Sequence, residues 1–155
     1  DAMLNRVNFN WAQGKKTYVI VDEFHIAFEN EYSGNFFTSA WRQFRKRNAS
    51  PIAITQNVDY MLDTPQSRSM ISNSEFIIML NQGENDQERL SQLLNISPEQ
   101  MRYVNGVEAG SGLLRYGNAL VPFINKFPKD AELYRLITTR PGEGVFAKGQ
   151  VDFDA

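Results

Sequence analysis

Thr17-Tyr18-Val19-Ile20-Val21-Asp22-Glu23 is the stretch that decides the fold. Every residue from Thr17 to Val21 is β-branched or aromatic, which is strand composition, and the run lacks the polar alternation of a strand with one wet face. It then stops at two carboxylates. A strand buried on both faces belongs to a parallel sheet, and open parallel sheets bind ligands beyond the carboxyl ends of their strands. Upstream, Met3, Leu4, Val7 and Trp11 at helical spacing predict a helix over 2–11, ended by Gly14-Lys15-Lys16. Downstream, Phe36, Phe37, Ala40, Trp41 and Phe44 mark the apolar face of a helix over about 35–47, with Ser33 or Asn35 as its cap. Pro51-Ile52-Ala53-Ile54-Thr55 is the next strand and ends in Gln56. Strand, helix and strand make a right-handed β-α-β unit with parallel strands.

The remaining chain reads as further α/β structure. Short helices are expected over 57–72, with Thr64-Pro65 as a helix start, and Glu75–Leu80 is a third strand. Helices follow at 84–94 and 98–104, the second opened by Ser97 and Pro98 with Gln100 at the capping-box position. Strands at 112–116 and 119–124, joined at Gly117-Asn118, form a hairpin at the sheet margin. Leu133–Thr138 is expected as a last strand, and 141–155 as a loose tail.

The 155 residues suit one compact domain or a large piece of a bigger one. Hydrophobic content of 42% against 22% charged residues argues for a globular chain, not a disordered one. The net charge of -2 gives no global signal for nucleic acid. With no Cys there is neither a disulfide framework nor a thiolate metal site. No run is long and apolar enough for a membrane helix, so a soluble intracellular protein is the default expectation. A chain that opens on Asp1 in the middle of a helical pattern reads as a piece of a longer protein.

An apolar strand ending in Asp-Glu is the Walker B pattern of ATPases. The chemistry needs Asp22 ionised beside a hydrated Mg²⁺ and Glu23 within reach of the water that attacks the terminal phosphorus. The plainer reading is that Asp22 caps the next segment. Gln56, 33 positions after Glu23, closes the neighbouring strand; its amide can donate to a phosphate oxygen and accept from that water, or it can simply be a polar strand end. Arg42, Arg45, Lys46 and Arg47 are a solvated helix end, an arginine presented to a neighbouring subunit's ATP, or a contact to nucleic-acid backbone. Arg115 lies in Gly110-Ser111-Gly112-Leu113-Leu114-Arg115-Tyr116-Gly117, which does not match Gly-x-x-x-x-Gly-Lys-Ser/Thr. His25, the single histidine, reads as a supporting or packing residue, and Trp41 and Phe44 as core.

Beyond the acid pair, Val19–His25, Phe44–Arg47, Ile54–Asn57, Asn73–Gln82, Gly112–Asn118, Val121–Phe123 and Leu136–Glu143 occur in the order found in one family. Over nearly all of residues 3–143 the chain resembles the C-terminal part of the large conjugative-transfer ATPase of type IV secretion systems, in the form found in Gram-positive conjugative elements. That resemblance implies a partial RecA-like P-loop core, a mainly parallel sheet flanked by helices with a C-terminal hairpin, over residues 1–143, and a flexible tail over 144–155. It implies Asp22 as the acid that holds Mg²⁺ through water, Glu23 as catalytic base, Gln56 as the family's Thr-Gln sensor and Arg45, eleven residues before it, as an intersubunit arginine. Arg115 falls in a late glycine-rich motif and is assigned to nucleotide contact. ATP and Mg²⁺ are the implied cofactors of the parent protein, with none bound to the piece alone. The implied partners are the upstream half of the same ATPase domain, further copies in a hexamer and secretion-channel proteins, at the cytoplasmic face of the membrane; DNA contact is left open. The phosphate-binding loop does not occur in these residues, so the piece is expected not to turn over ATP by itself. The alternative is a non-catalytic RecA-like module that binds protein or DNA.

Overall fold

A computed structural model describes residues 2–138. Helix α1 (Ala2–Ala12) leads into β1 (Thr17–Val21), and β2 (Ala49–Ala53) pairs with β1 in parallel, Thr17 opposite Ala49 and Val21 opposite Ala53. Between them run a 3-10 turn (Phe24–Phe28) and α2 (Glu31–Lys46). The expected β-α-β unit is therefore present, but β1 is not buried on both faces as expected, since Tyr18 and Ile20 are 60% and 64% exposed, and two local details also differ. The cap of α2 is Asn30, not Ser33 or Asn35: the Asn30 side chain accepts from Tyr32 N at 2.8 Å, while the Ser33 hydroxyl is engaged with Ala27 O at 2.6 Å. β2 begins two residues before Pro51 and ends at Ala53, although Ile54 continues the ladder by donating to Val21 O and accepting from Phe24 N, both at 2.9 Å.

Helices α3 (Val58–Asp63) and α4 (Pro65–Ser72) follow, with Thr64 capping α4 ahead of the first-turn proline. Then come β3 (Phe76–Met79), α5 (Glu84–Leu94), α6 (Pro98–Met101) with the predicted capping box, a short 3-10 turn, β4 (Ser111–Tyr116), β5 (Ala119–Ile124) and α7 (Glu132–Ile137). The expectation of a mainly parallel sheet does not hold among the described residues. β3 pairs antiparallel with β4, Phe76 opposite Tyr116, and β4 pairs antiparallel with β5 through the Gly117 turn. A continuous apolar run such as Phe76–Met79 carries no signal for strand direction, which is why the sequence left this open to error. Gly112 permits the close approach of β3 to β4: a Cβ there would lie 2.4 Å from Met79 O.

The expected strand at Leu133–Thr138 is instead α7. Arg135 N and Thr138 N donate to Ala131 O and Tyr134 O, and Leu133, Leu136 and Ile137 fall at helical spacing. The expected tail lies outside the described residues.

Among the described residues, three apolar clusters hold the fold together. Val7, Val19, Ala40, Phe44 and Ala49 join α1 and α2 to the inner face of the parallel pair. Phe24, Met61 and Met70 join the strand exit to α3 and α4, with Trp41 partly buried alongside; Phe44 is therefore core as read, and Trp41 packs against the core. Val58, Leu62, Met79, Leu90, Leu94, Ile96, Met101, Val104 and Leu113 form the third, beneath the antiparallel sheet.

Candidate active site at the end of the parallel strands

The site is built by how the chain leaves β1. Glu23 has φ 48°, ψ 44°, in the left-handed region. Asn48 and Asn95 are the other non-glycine residues of positive φ among those described, and asparagine tolerates that region far better than glutamate does. Strain of this kind persists where neighbours over-determine it. Here the anchor is the next residue. Phe24 is 1% exposed, its ring meets Phe28, Phe37 and Trp41 at centroid distances of 5.4, 5.3 and 4.9 Å, and its N–H is bonded to Ile54 O. Burying Phe24 turns Glu23 outward at the tip of the strand.

The neighbouring strand supplies the partner. Gln56 Nε2 donates to Glu23 Oε1 at 2.8 Å. The two residues that the sequence placed at adjoining strand ends are thus in direct contact. Asp22 is exposed beside them, and its Oδ1 accepts the Glu23 N–H at 2.9 Å. This bond fixes one carboxylate oxygen and leaves the other free to face solvent or a ligand. Two further groups close the cluster: His25 Nδ1 lies 3.1 Å from Thr55 Oγ1 and 3.4 Å from Glu23 Oε2. Sequence reading gave His25 no specific contact and treated Thr55 only as Gln56's neighbour. The available signal was spacing: His25 follows Glu23 by two and Thr55 precedes Gln56 by one, so both sit on the same strand exits.

Arg45 and Arg115 are not brought to this cluster. Arg45 is exposed in the last turn of α2. A helix returning between parallel strands ends at their opposite tips, about 21 Å along the axis from its own start at 1.5 Å per residue. Arg115 lies on β4, opposite Ile77 and Leu120, and its Nη1 is buried without a hydrogen-bond partner among the described residues. Among those residues, no group of three or more His, Asp or Glu side chains is arranged to hold a metal ion, and no helix is long and apolar enough to cross a membrane.

Neither a family model nor a curated protein matches the sequence. Among solved structures, VirB4 of Thermoanaerobacter pseudethanolicus superposes with a TM-score of 0.70 at 23% identity, over 83% of this chain and 36% of the VirB4 chain. The chain thus spans about a third of that protein's length, and the mixed α/β fold with its small parallel and antiparallel sheets is one that VirB4 contains.

Proposed function

We propose that this chain is part of an ATP-hydrolysing RecA-like motor of the conjugative type IV secretion kind, and that it supplies the water-activating side of the site. The supporting observation is the 2.8 Å bond from Gln56 to Glu23 across two parallel strand ends, on a fold shared with VirB4. Asp22 fits the role of a magnesium-associated acid, because Mg²⁺ keeps most of its waters and takes one or two carboxylates at most. When bound, the ion neutralises charge on the phosphates.

The chain's own residues account for the rest. The Glu23 carboxylate orients a water and takes its proton. The Gln56 amide has a second N–H and a carbonyl oxygen, so it can hold Glu23 while donating to a phosphate oxygen or accepting from the water. The phosphates need a cradle, which is the Gly-rich Lys-Ser/Thr loop of the upstream half of the domain. Arg45, at the opposite strand tips, cannot serve its own acid pair and is assigned to the site of the next subunit in a ring. Arg115 is assigned to the nucleotide by the family resemblance alone. Secretion-channel partners at the inner membrane face belong to the same proposal.

A longer chain that includes the upstream loop should hydrolyse ATP. Glu23→Gln in it should lower turnover by about 10²- to 10⁴-fold, the usual worth of a general base, and leave nucleotide binding intact. Retained turnover removes Glu23 from its role. Turnover that is indifferent to Asp22→Ala would favour the non-catalytic module instead.

A further inference from the structure

We infer that His25 is a positioning residue for Glu23, acting through the tautomer that protonates Nδ1; the catalytic part of this inference rests on the motor reading above. The His25 side chain is 15% exposed and that of Glu23 39%. Nδ1 faces two oxygens, Thr55 Oγ1 at 3.1 Å and Glu23 Oε2 at 3.4 Å. The Thr55 hydroxyl has one proton, and Asn57 O lies 3.2 Å from it, well placed to accept that proton. Its lone pairs are then offered to Asn57 N, also at 3.2 Å, and to His25. With the hydroxyl proton used elsewhere, Nδ1 must be the donor to Thr55. A carboxylate oxygen on the same side disfavours a lone pair on Nδ1 for the same reason.

The arrangement ties the two strand exits together twice. Gln56 holds Glu23 Oε1, and the imidazole fixed on Thr55 stands against Oε2. The Tyr60 ring, 6.0 Å from the imidazole centroid, bounds the histidine on the α3 side. Glu23 is therefore confined on both carboxylate oxygens while its backbone is held in the left-handed region. A base confined this way loses little orientational freedom when its water arrives.

Because His25 is the single histidine, its imidazole gives one set of nitrogen resonances in this chain. Long-range proton–nitrogen correlation near neutral pH should find Nδ1–H in the neutral ring, against the Nε2–H preference of imidazole in water. Thr55→Val and Glu23→Ala should each raise the Nε2–H fraction, and the double variant should return the free preference; Thr55→Ser should keep Nδ1–H. A wild-type ring protonated on Nε2, or one indifferent to Thr55→Val, overturns the inference. In the ATP-hydrolysing longer chain, His25→Phe should lower kcat by about 10-fold with KM unchanged, and His25→Asn, whose amide N–H reaches the Nδ1 position, should restore most of it. Equal activity of His25→Phe and wild type also overturns it. Turnover retained in Glu23→Gln would instead remove Glu23 as the base, and a wild-type longer chain that hydrolyses no ATP would refute the motor reading; either leaves the tautomer result standing.

Discussion

The parallel pair β1–β2 and the antiparallel sheet β3–β4–β5 are built alike on one side and differ at their tips. Each packs one face on a buried cluster, Val19 in the first and Met79 with Leu113 in the second. Each leaves the other face apolar and uncovered, with Ile20 64% exposed in β1 and Ile78 66% exposed in β3. The tips diverge. β1 and β2 exit into Asp22, Glu23, Thr55 and Gln56, joined by hydrogen bonds, whereas β4 and β5 meet in a plain Gly117-Asn118 turn. Parallel strands put both of their carboxyl ends on one side, so polar exits can converge. An antiparallel hairpin cannot do that with consecutive strands. The hydrogen-bonded polar cluster therefore sits at the tip of the smaller sheet, and the larger sheet covers the largest apolar cluster.

Core truncation breaks the comparison most severely. Phe24→Ala should cost about 3–5 kcal/mol and Leu113→Ala about 2–5 kcal/mol, read from denaturant midpoints. The two should differ in their local effect. Phe24→Ala should release Glu23 from its strained conformation and free the His25 resonances, and Leu113→Ala, in the folded fraction, should leave them unmoved. Equal disturbance of His25 by both would show that the two sheets are not separable in this way.

Smaller effects sharpen the contrast between faces. Ile20→Ala and Ile78→Ala, on the open faces, should each change stability by less than about 0.5 kcal/mol. Val19→Ala and Met79→Ala, one residue along the same strands, should cost several times more. Similar losses on both faces would mean that the open faces are covered in solution.

The smallest expected effect is a pH dependence at the join of α3 and α5. Burial, and then the Asp59 carboxylate beside it, hold Asp86 above the usual carboxylate range, with Arg89 lowering it in part. Arg89 meanwhile bonds Asp59 at 2.6 Å and Asp63 at 2.8 Å. A carboxyl whose folded value is raised binds more protons folded than unfolded. Stability is then greatest below the unfolded value and is lost as pH rises through the raised one. Asp86→Asn should remove that decline from a plot of denaturant midpoint against pH.

Much of this arrangement was legible in the chain because it rests on local signals. Thr17–Val21 announced β1, Thr64-Pro65 and Ser97 with Gln100 announced helix starts, and the spacing from Glu23 to Gln56 fitted one crossover. Their contact follows from parallel register, which the connecting helix dictates. Signals without direction failed. Phe76–Met79 is apolar throughout and gave no warning that β3 pairs antiparallel, and Leu133–Ile137 is too short for its helical spacing to stand out from a strand. The cap of α2 was misplaced because Asn30, Ser33 and Asn35 are all competent; the bond from Ser33 to Ala27 O decides among them and is a feature of the folded turn alone. His25 reads from the chain only as a supporting or packing residue and Thr55 only as half of a Thr-Gln pair, because the contact between them spans 30 positions of sequence.

The central claim is that Glu23 and Gln56 act as one unit. The direct test is a double-mutant cycle on kcat for ATP hydrolysis in the longer chain, with Glu23→Gln, Gln56→Ala and the pair. If the unit is real, the double variant should be little slower than Glu23→Gln alone, because the contacts of Gln56 to the base and its water speed the reaction only while residue 23 can take the proton. Two losses that multiply independently would contradict the account.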